Sequence, residues 1–337
     1  MRPTRPASAI VPAAGAQPPA VPSSLAPTAA RAAEYAQASR APNTQRAYRG
    51  AWKAFAAWCE AHGLVSLPAA PQTAALYVTH MADRAKPATI DVHIAGVAYR
   101  HREAGHPSPF DHPRVQDVLD GVRRTRGTAP NKKTPAVSGI VRSMVTAVRL
   151  EDRSPYVADR DDALLLLGFA GAFRRSELVA LDWVDLEERP EGLLVTIRRG
   201  KTDQRGAGRK VHVHRGADPA LCPVAALGRW RARVRGSGFG GADDAPVFLC
   251  LSRSAWLRRM SAQHVALVVK AAARAAGLDA ARFAGHSLRS GFATSAARAG
   301  RRLDTIRAQT GHRSLDMLAE YLAHDVPWDD DAAKGLL

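Results

Sequence analysis

Four separated stretches of the chain carry residue types that can do chemistry together. Gly171-Ala172-Phe173-Arg174-Arg175-Ser176-Glu177-Leu178 follows an apolar run, and Arg199-Gly200-Lys201-Thr202 sits between two predicted strands. Gly285-His286-Ser287-Leu288-Arg289-Ser290-Gly291 and Thr310-Gly311-His312-Arg313-Ser314 come later, with Tyr321 nine residues after His312. Singly, each has an ordinary explanation. Arg-x-x-Glu is usually a helix-surface ion pair, a hairpin lysine is usually solvated, Gly-His often starts a helix, and Tyr321 between Leu318 and Leu322 suits a core. In combination they suit displacement at a phosphodiester. Two guanidiniums, Arg174 and Arg289, can hold the non-bridging oxygens with fixed forks of donors, which lysine does less well. His286, three residues before Arg289, shares its helical face, and imidazoles supply donors and a proton carrier near neutral pH. A hairpin lysine can protonate a leaving oxygen. A deprotonated tyrosine is a nucleophile that leaves a phosphotyrosine, conserving the bond for rejoining without a metal or nucleotide cofactor.

The order of these residues resembles the signature of the tyrosine recombinases, the integrases that include lambda integrase and the Xer and Cre recombinases: Arg, hairpin Lys, His-x-x-Arg, His or Trp, Tyr. The resemblance covers roughly residues 43 to 325 and is strongest in the last 170. It implies Arg174 as the first catalytic arginine, its register set against Arg175 by the following Ser176-Glu177-Leu178, and Glu177 as the acidic residue supporting the site. It implies Lys201 as the hairpin lysine, preferred to Lys210 in the returning strand, with His286, Arg289 and His312 completing the phosphate site. Tyr321 is the implied nucleophile, at the family's usual distance from His312. Asn43-Thr44-x-x-x-Tyr48 and Thr89-Ile90-x-x-His93 resemble the DNA-facing helix starts of the family's SAM-like core-binding domain. Thr44, Arg46, Tyr48, Lys86, Thr89, His93 and Arg100 are therefore the candidate DNA contacts. A homotetramer on double-stranded DNA, a 3′-phosphotyrosine and a Holliday junction are likewise implied; accessory proteins are not specified.

Residues 1–42, rich in Ala and Pro, read as a mostly disordered leader, with a short helix around Arg31 to Ser39. Residues 43–128 read as four short helices in a bundle. Asn43 and Thr44 are candidate N-caps, Pro71 and Pro87 open the second and third helices, and Asp111 opens the fourth. Arg123 to Lys133 reads as an exposed basic stretch, and residues 129–136 form the expected linker. From 137 to 326 helices dominate around one β signal, the runs Leu194–Arg198 and Lys210–His214 on either side of a charged, Gly-rich turn. Residues 327–337 read as a tail whose Trp328, Leu336 and Leu337 can dock on a neighbouring subunit. The expected fold is mainly α: an N-terminal helical bundle, then a mixed α/β catalytic domain with a small antiparallel sheet.

Composition narrows the alternatives. The chain has 337 residues, room for about two domains on a prior of ~150 residues each. Lys and Arg number 48 against 31 Asp and Glu, a net charge of +17 that suits a polyanionic partner. The longest apolar run, Ala163 to Phe173, is too short for the ~20 residues of a membrane span. Three scattered cysteines, Cys59, Cys222 and Cys250, lack zinc-ligand spacing, so no metal site is expected. They favour a reducing cytoplasm over a disulfide scaffold, and the DNA partner implied by the resemblance adds an association with the nucleoid. Two rivals remain: a type IB topoisomerase-like enzyme that relaxes DNA, and an architectural DNA-binding protein without catalysis. No RNA-recognition motif supports an RNA-binding protein.

Overall fold

The structure, a computed structural model, describes residues 22–128, 133–200, 207–238, 242–251, 258–312, 314, 315 and 318. The chain divides into two compact units, Met1–Asn131 and Lys132–Leu337.

Five helices make up the described part of the first unit: α1 (Ala26–Ala38), α2 (Pro42–Ala61), α3 (Pro71–Ala82), α4 (Pro87–Glu103) and α5 (Pro113–Arg126). Helix α1 lies in the stretch expected to be mostly disordered and extends further than the Arg31–Ser39 piece. Its alanines favour helix and Pro27 suits a first turn, although none of its described side chains is buried. Residues 1–21 of that leader lie outside the described residues. The cap of α2 is Ala41, with Pro42 opening the helix, so Asn43 and Thr44 sit inside the first turn rather than capping it. Asn43 Oδ1 instead accepts from Arg46 Nη1 at 2.9 Å. Phe55, Cys59, Tyr77, Ile90, Val97, Phe110, Val115 and Leu119 close the core. The fourth helix starts at Pro113, after a short 3₁₀ turn at Pro109–Asp111. It runs through Arg126, which corrects the reading of Arg123, Arg124 and Arg126 as linker. Arg123 pairs with Asp91 at 3.0 Å and Asp120 at 3.2 Å, and Arg126 with Asp83 at 2.8 Å, so helix continuation lets these cations reach carboxylates of the bundle.

In the second unit come α6 (Ser138–Leu150), α7 (Pro155–Ala170), α8 (Arg175–Ala180), α9 (Pro223–Gly236), α10 (Ala262–Ala275), α11 (Ser287–Arg298) and α12 (Leu303–Thr310). An antiparallel sheet of order β1-β2-β3 joins them: β1 (Leu186–Arg189), β2 (Gly192–Ile197) and β3 (Arg209–His214). Val195 pairs with Val211 and Ile197 with Arg209, so Val211 and Val213 share the buried face with Val195 and Ile197. Strand β1 (Leu-Glu-Glu-Arg) has no apolar alternation to betray it and was not expected. Helix α7 is buried nearly all round and is the hub of the core, against α6, α9 and α11. No helix among the described residues is long and apolar enough to cross a membrane.

The second half of the expected linker is not a solvated hinge. Thr134 N–H donates to Arg282 O and Ala136 N–H to Ser287 O, both at 2.8 Å, and Ala136 is fully buried. The segment can lie there because Gly291 of α11 has no side chain: a Cβ would stand 1.9 Å from Ala136 O. Gly291→Ala is therefore expected to destabilise the second unit by on the order of 2 kcal/mol despite alanine's better helix propensity, read as a fall in melting temperature.

Candidate active site

Helix α7 stops at Ala170, and the chain reverses through Gly171 and Ala172. Ala172 has φ +50°, a left-handed conformation uncommon for a residue with a Cβ. In that pose its carbonyl accepts from Arg289 Nη1 at 2.9 Å. Arg174 then caps α8, and Glu177, in the first turn, reaches back to it. Glu177 Oε2 accepts the Arg174 backbone N–H at 3.0 Å, and Oε1 accepts Arg174 Nη1 at 2.6 Å. Arg209, the first residue of β3, donates its own Nη2 to Glu177 Oε2 at 3.1 Å. The Glu177 side chain is 1% exposed, so this carboxylate is a buried anion shared by two guanidiniums.

Three arginines meet at the C-terminal end of α12. Arg209 Nη1 donates to Gln309 O at 2.9 Å, Arg289 Nη1 to Thr310 O, and Arg174 Nη2 to Gly311 O at 3.1 Å. Cations suit this end of a helix, where the last carbonyls lack internal partners. Gly311 turns left-handed at φ +64°, and a Cβ there would press on Arg209 Nε at 3.1 Å, so glycine both ends the helix and makes room for the guanidinium. His312 follows at once. Its Nδ1 lies 2.7 Å from Thr310 Oγ1. Burial, helped by the guanidiniums of Arg289 and Arg174, by His286 and by Arg209, pushes its pKa down to about 4, so the ring is neutral at pH 7.

His286 caps α11 and is exposed, with buried Arg289 three residues on. The structure thus brings together Arg174, Glu177, His286, Arg289 and His312. Arg175 is exposed, and its stem covers Gly285, the residue before His286, where a Cβ would lie 2.3 Å from Arg175 Cδ. Lys210 is exposed on the opposite parity of β3 from Arg209. Lys201 and Tyr321 lie outside the described residues. The root of the hairpin that bears Lys201 is staked down, because Arg198, next after β2, donates to Asp182 and, at 2.6 Å, to Asp185.

The candidate DNA contacts fall into two groups. Tyr48 and Tyr99 have ring centroids 5.5 Å apart, Gly96 lies against Tyr48, and Arg40 stands over the Tyr99 ring at 4.2 Å, so the start of α2 lies beside the later half of α4. Thr44, Arg46, Tyr48 and Arg100 therefore gather toward the end of α4, where Arg100 pairs with Glu103 at 3.6 Å. Lys86, Thr89 and His93 gather at its start, about 16 Å away from Thr89 to Arg100 at ~1.5 Å per residue. Lys86 and Thr89 are exposed, while half-buried His93 shares a 2.8 Å hydrogen bond with Tyr77 and is held below the usual histidine pKa by burial.

Sequence reasoning missed Arg209 and Thr310. Arg209 had a signal: two and four residues before Val211 and Val213, it shares their inward parity. Thr310 had none beyond its place before Gly311-His312.

A family model described as the phage integrase family matches residues 147–326. An integrase/recombinase xerD homolog from Selenomonas ruminantium is 36% identical over 299 residues, spanning 87% of this chain and 85% of the relative. Among solved structures, XerH site-specific recombinase in a post-cleavage complex with a palindromic difH substrate superposes with TM-score 0.57 at 17% identity, covering 76% of this chain and 69% of that one. A lambda integrase dimer bound to a COC′ core site also gives 0.57 at 17% identity, covering 91% of this chain and 99% of that one. The largely helical architecture with one small antiparallel sheet is the fold these structures share with this chain.

Proposed function

The chain belongs to the phage integrase family, the tyrosine recombinases, and on that premise we propose that it cleaves and rejoins duplex DNA at specific recombination sites through a 3′-phosphotyrosine intermediate and a Holliday junction. The Tyr321 oxygen attacks the scissile phosphorus. A new O–P bond forms, the bond to the 5′ oxygen breaks, and Lys201 supplies that oxygen's proton. A 5′-hydroxyl from the partner duplex later attacks the phosphotyrosine, restoring the backbone and releasing the phenol. A homotetramer on two DNA sites accomplishes the exchange. Exposed basic and hydroxyl side chains of the first unit, Arg46, Lys86, Thr89 and Arg100, contact the DNA backbone.

The observation that carries this reading is the convergence of Arg174, Arg289 and Arg209 on the end of α12, from which His312 emerges. Guanidiniums already fixed by Glu177 and by main-chain carbonyls stabilise charge as a fifth oxygen attaches, without reorganising at the moment of reaction.

A nicked suicide duplex tests it. The substrate carries the recombination site, sought as an inverted repeat beside the gene, and the nick lets the short 5′ fragment diffuse away. The wild-type protein is expected to accumulate a covalent adduct that Tyr321→Phe abolishes. Specific binding without any adduct would leave an architectural role. Relaxation of supercoiled DNA lacking paired sites, without strand exchange, would indicate a topoisomerase.

A further inference from the structure

Tyr77 of α3 and His93 of α4 meet within the first unit, with the phenol oxygen 2.8 Å from His93 Nδ1. The Tyr77 ring is fixed by its neighbours. It meets Phe55 edge-on at 4.9 Å and Trp58 at 5.2 Å, and the residue is only 3% exposed. A hydroxyl so shielded from water gives its hydrogen to an acceptor within reach, and among the described residues that acceptor is His93 Nδ1. Acidity points the same way. Phenol is a stronger acid than neutral imidazole, and an imidazole nitrogen is a far stronger base than a phenol oxygen, so O–H···N is favoured over N–H···O. Burial, reinforced by Cys59, pushes the Tyr77 pKa up to about 12, so the hydrogen stays on the phenol. Burial also lowers the His93 pKa, which favours the neutral ring. With Nδ1 accepting, the one proton of that ring sits on Nε2.

We propose that Tyr77 is a positioning residue that fixes His93 as the Nε2–H tautomer and so presents a neutral, oriented donor to one acceptor atom of the DNA, a purine N7 or a non-bridging phosphate oxygen. This rests on the recombinase reading above. His93 is half-buried, and its outer nitrogen is not sealed from water. Thr89, one turn earlier on α4, and Lys86, at the cap of that helix, are exposed, so a hydroxyl and a cation share this end of α4 with the ring. The carboxylates nearest in sequence are already paired, Asp83 with Arg126 at 2.8 Å and Asp91 with Arg123 at 3.0 Å, which weakens their repulsion of a polyanion. A neutral N–H adds no charge to the attraction. It adds direction, and Tyr77 supplies that direction from behind the ring.

The full-length protein labelled with ¹⁵N-histidine tests the tautomer by long-range ¹H–¹⁵N correlation, with the His93 signals identified by their loss in His93→Gln. Wild type is expected to show the Nε2–H pattern. Tyr77→Phe, which keeps the ring against Phe55 and Trp58, is expected to raise the Nδ1–H form. An Nδ1–H pattern in wild type overturns the proposal without any variant. Binding isotherms on the inverted-repeat duplex test the role. His93→Ala is expected to weaken binding about fivefold and Tyr77→Phe about threefold, with the salt dependence unchanged because no charge is lost. In the His93→Ala background, Tyr77→Phe is expected to cost nothing further. A tyrosine that only supports the fold would cost the same in both backgrounds, and that result overturns the positioning role. Duplexes carrying single 7-deaza-purines or single methylphosphonates locate the acceptor. One such substitution is expected to weaken wild type and leave His93→Ala unaffected, a 7-deaza-purine assigning N7 and a methylphosphonate the phosphate oxygen. If every substitution weakens both proteins alike, His93 does not touch the DNA and the proposal fails. Specific binding with no adduct on the nicked substrate overturns the recombinase reading instead, and the paired variants still decide what Tyr77 does.

Discussion

Arg289→Ala is expected to slow formation of the covalent adduct roughly a thousandfold while weakening binding to the site less than tenfold. Affinity for DNA comes from many phosphate contacts spread over a chain of net charge +17, so losing one buried guanidinium barely changes it. Cleavage depends on how charge at one phosphorus is met. Arg289 is 1% exposed, and Ala172 O and Thr310 O hold its Nη1, so its orientation is set before any phosphate arrives. Arg289→Lys is expected to recover little of the rate, because an ammonium cannot reproduce a planar fork anchored at one corner and donating from the others. Quench-flow or gel assays of adduct against time, beside a binding isotherm, give the two numbers. Equal losses in both would make Arg289 a structural residue. The same comparison applies to Arg174→Ala, whose side chain is more accessible and whose effect on folding is expected to be smaller.

Glu177→Ala is expected to be the most destabilising single change in the site, by about 3–5 kcal/mol, which lowers the melting temperature by roughly 10 °C or more. The buried carboxylate accepts from Arg174 at 2.6 Å and from Arg209 at 3.1 Å. Removing it leaves two neighbouring guanidiniums with no carboxylate between them. Glu177→Gln keeps the shape and an acceptor oxygen but loses the charge, and is expected to fall between wild type and alanine. Calorimetry of the three proteins checks the order. An alanine variant that melts like wild type would mean that the two arginines find other partners and that Glu177 organises nothing.

Much of the architecture was legible because its causes are local. Prolines at positions 71 and 87 sit at the first turns of the helices they open, and the alternation of Val211 and Val213 marks a half-buried strand. Asn43 and Thr44 misled because a proline start competes with a side-chain cap and wins. Strand β1 was invisible because an exposed edge strand needs no apolar face. Of the residues singled out by type and order, Arg174, Glu177, His286, Arg289 and His312 lie together in the structure. What was not legible depends on contacts distant in sequence. The bond from Arg209 to Glu177 spans 32 residues and that from Arg209 to Gln309 spans 100, and neither leaves a local pattern. The left-handed Ala172 is similar, because its conformation makes sense only once Arg289 is placed against its carbonyl.

The guanidiniums of Arg174, Arg209 and Arg289 grip α12 by oxygens that every amino acid carries. No missense change at position 309 or 310 can delete those acceptors; only a shift in chain length or a break in the turn can. Variation there changes the side chain beside His312 while the arginine scaffold stays anchored. That separation makes these two codons places where a side chain can be exchanged without loss of the arginine cluster.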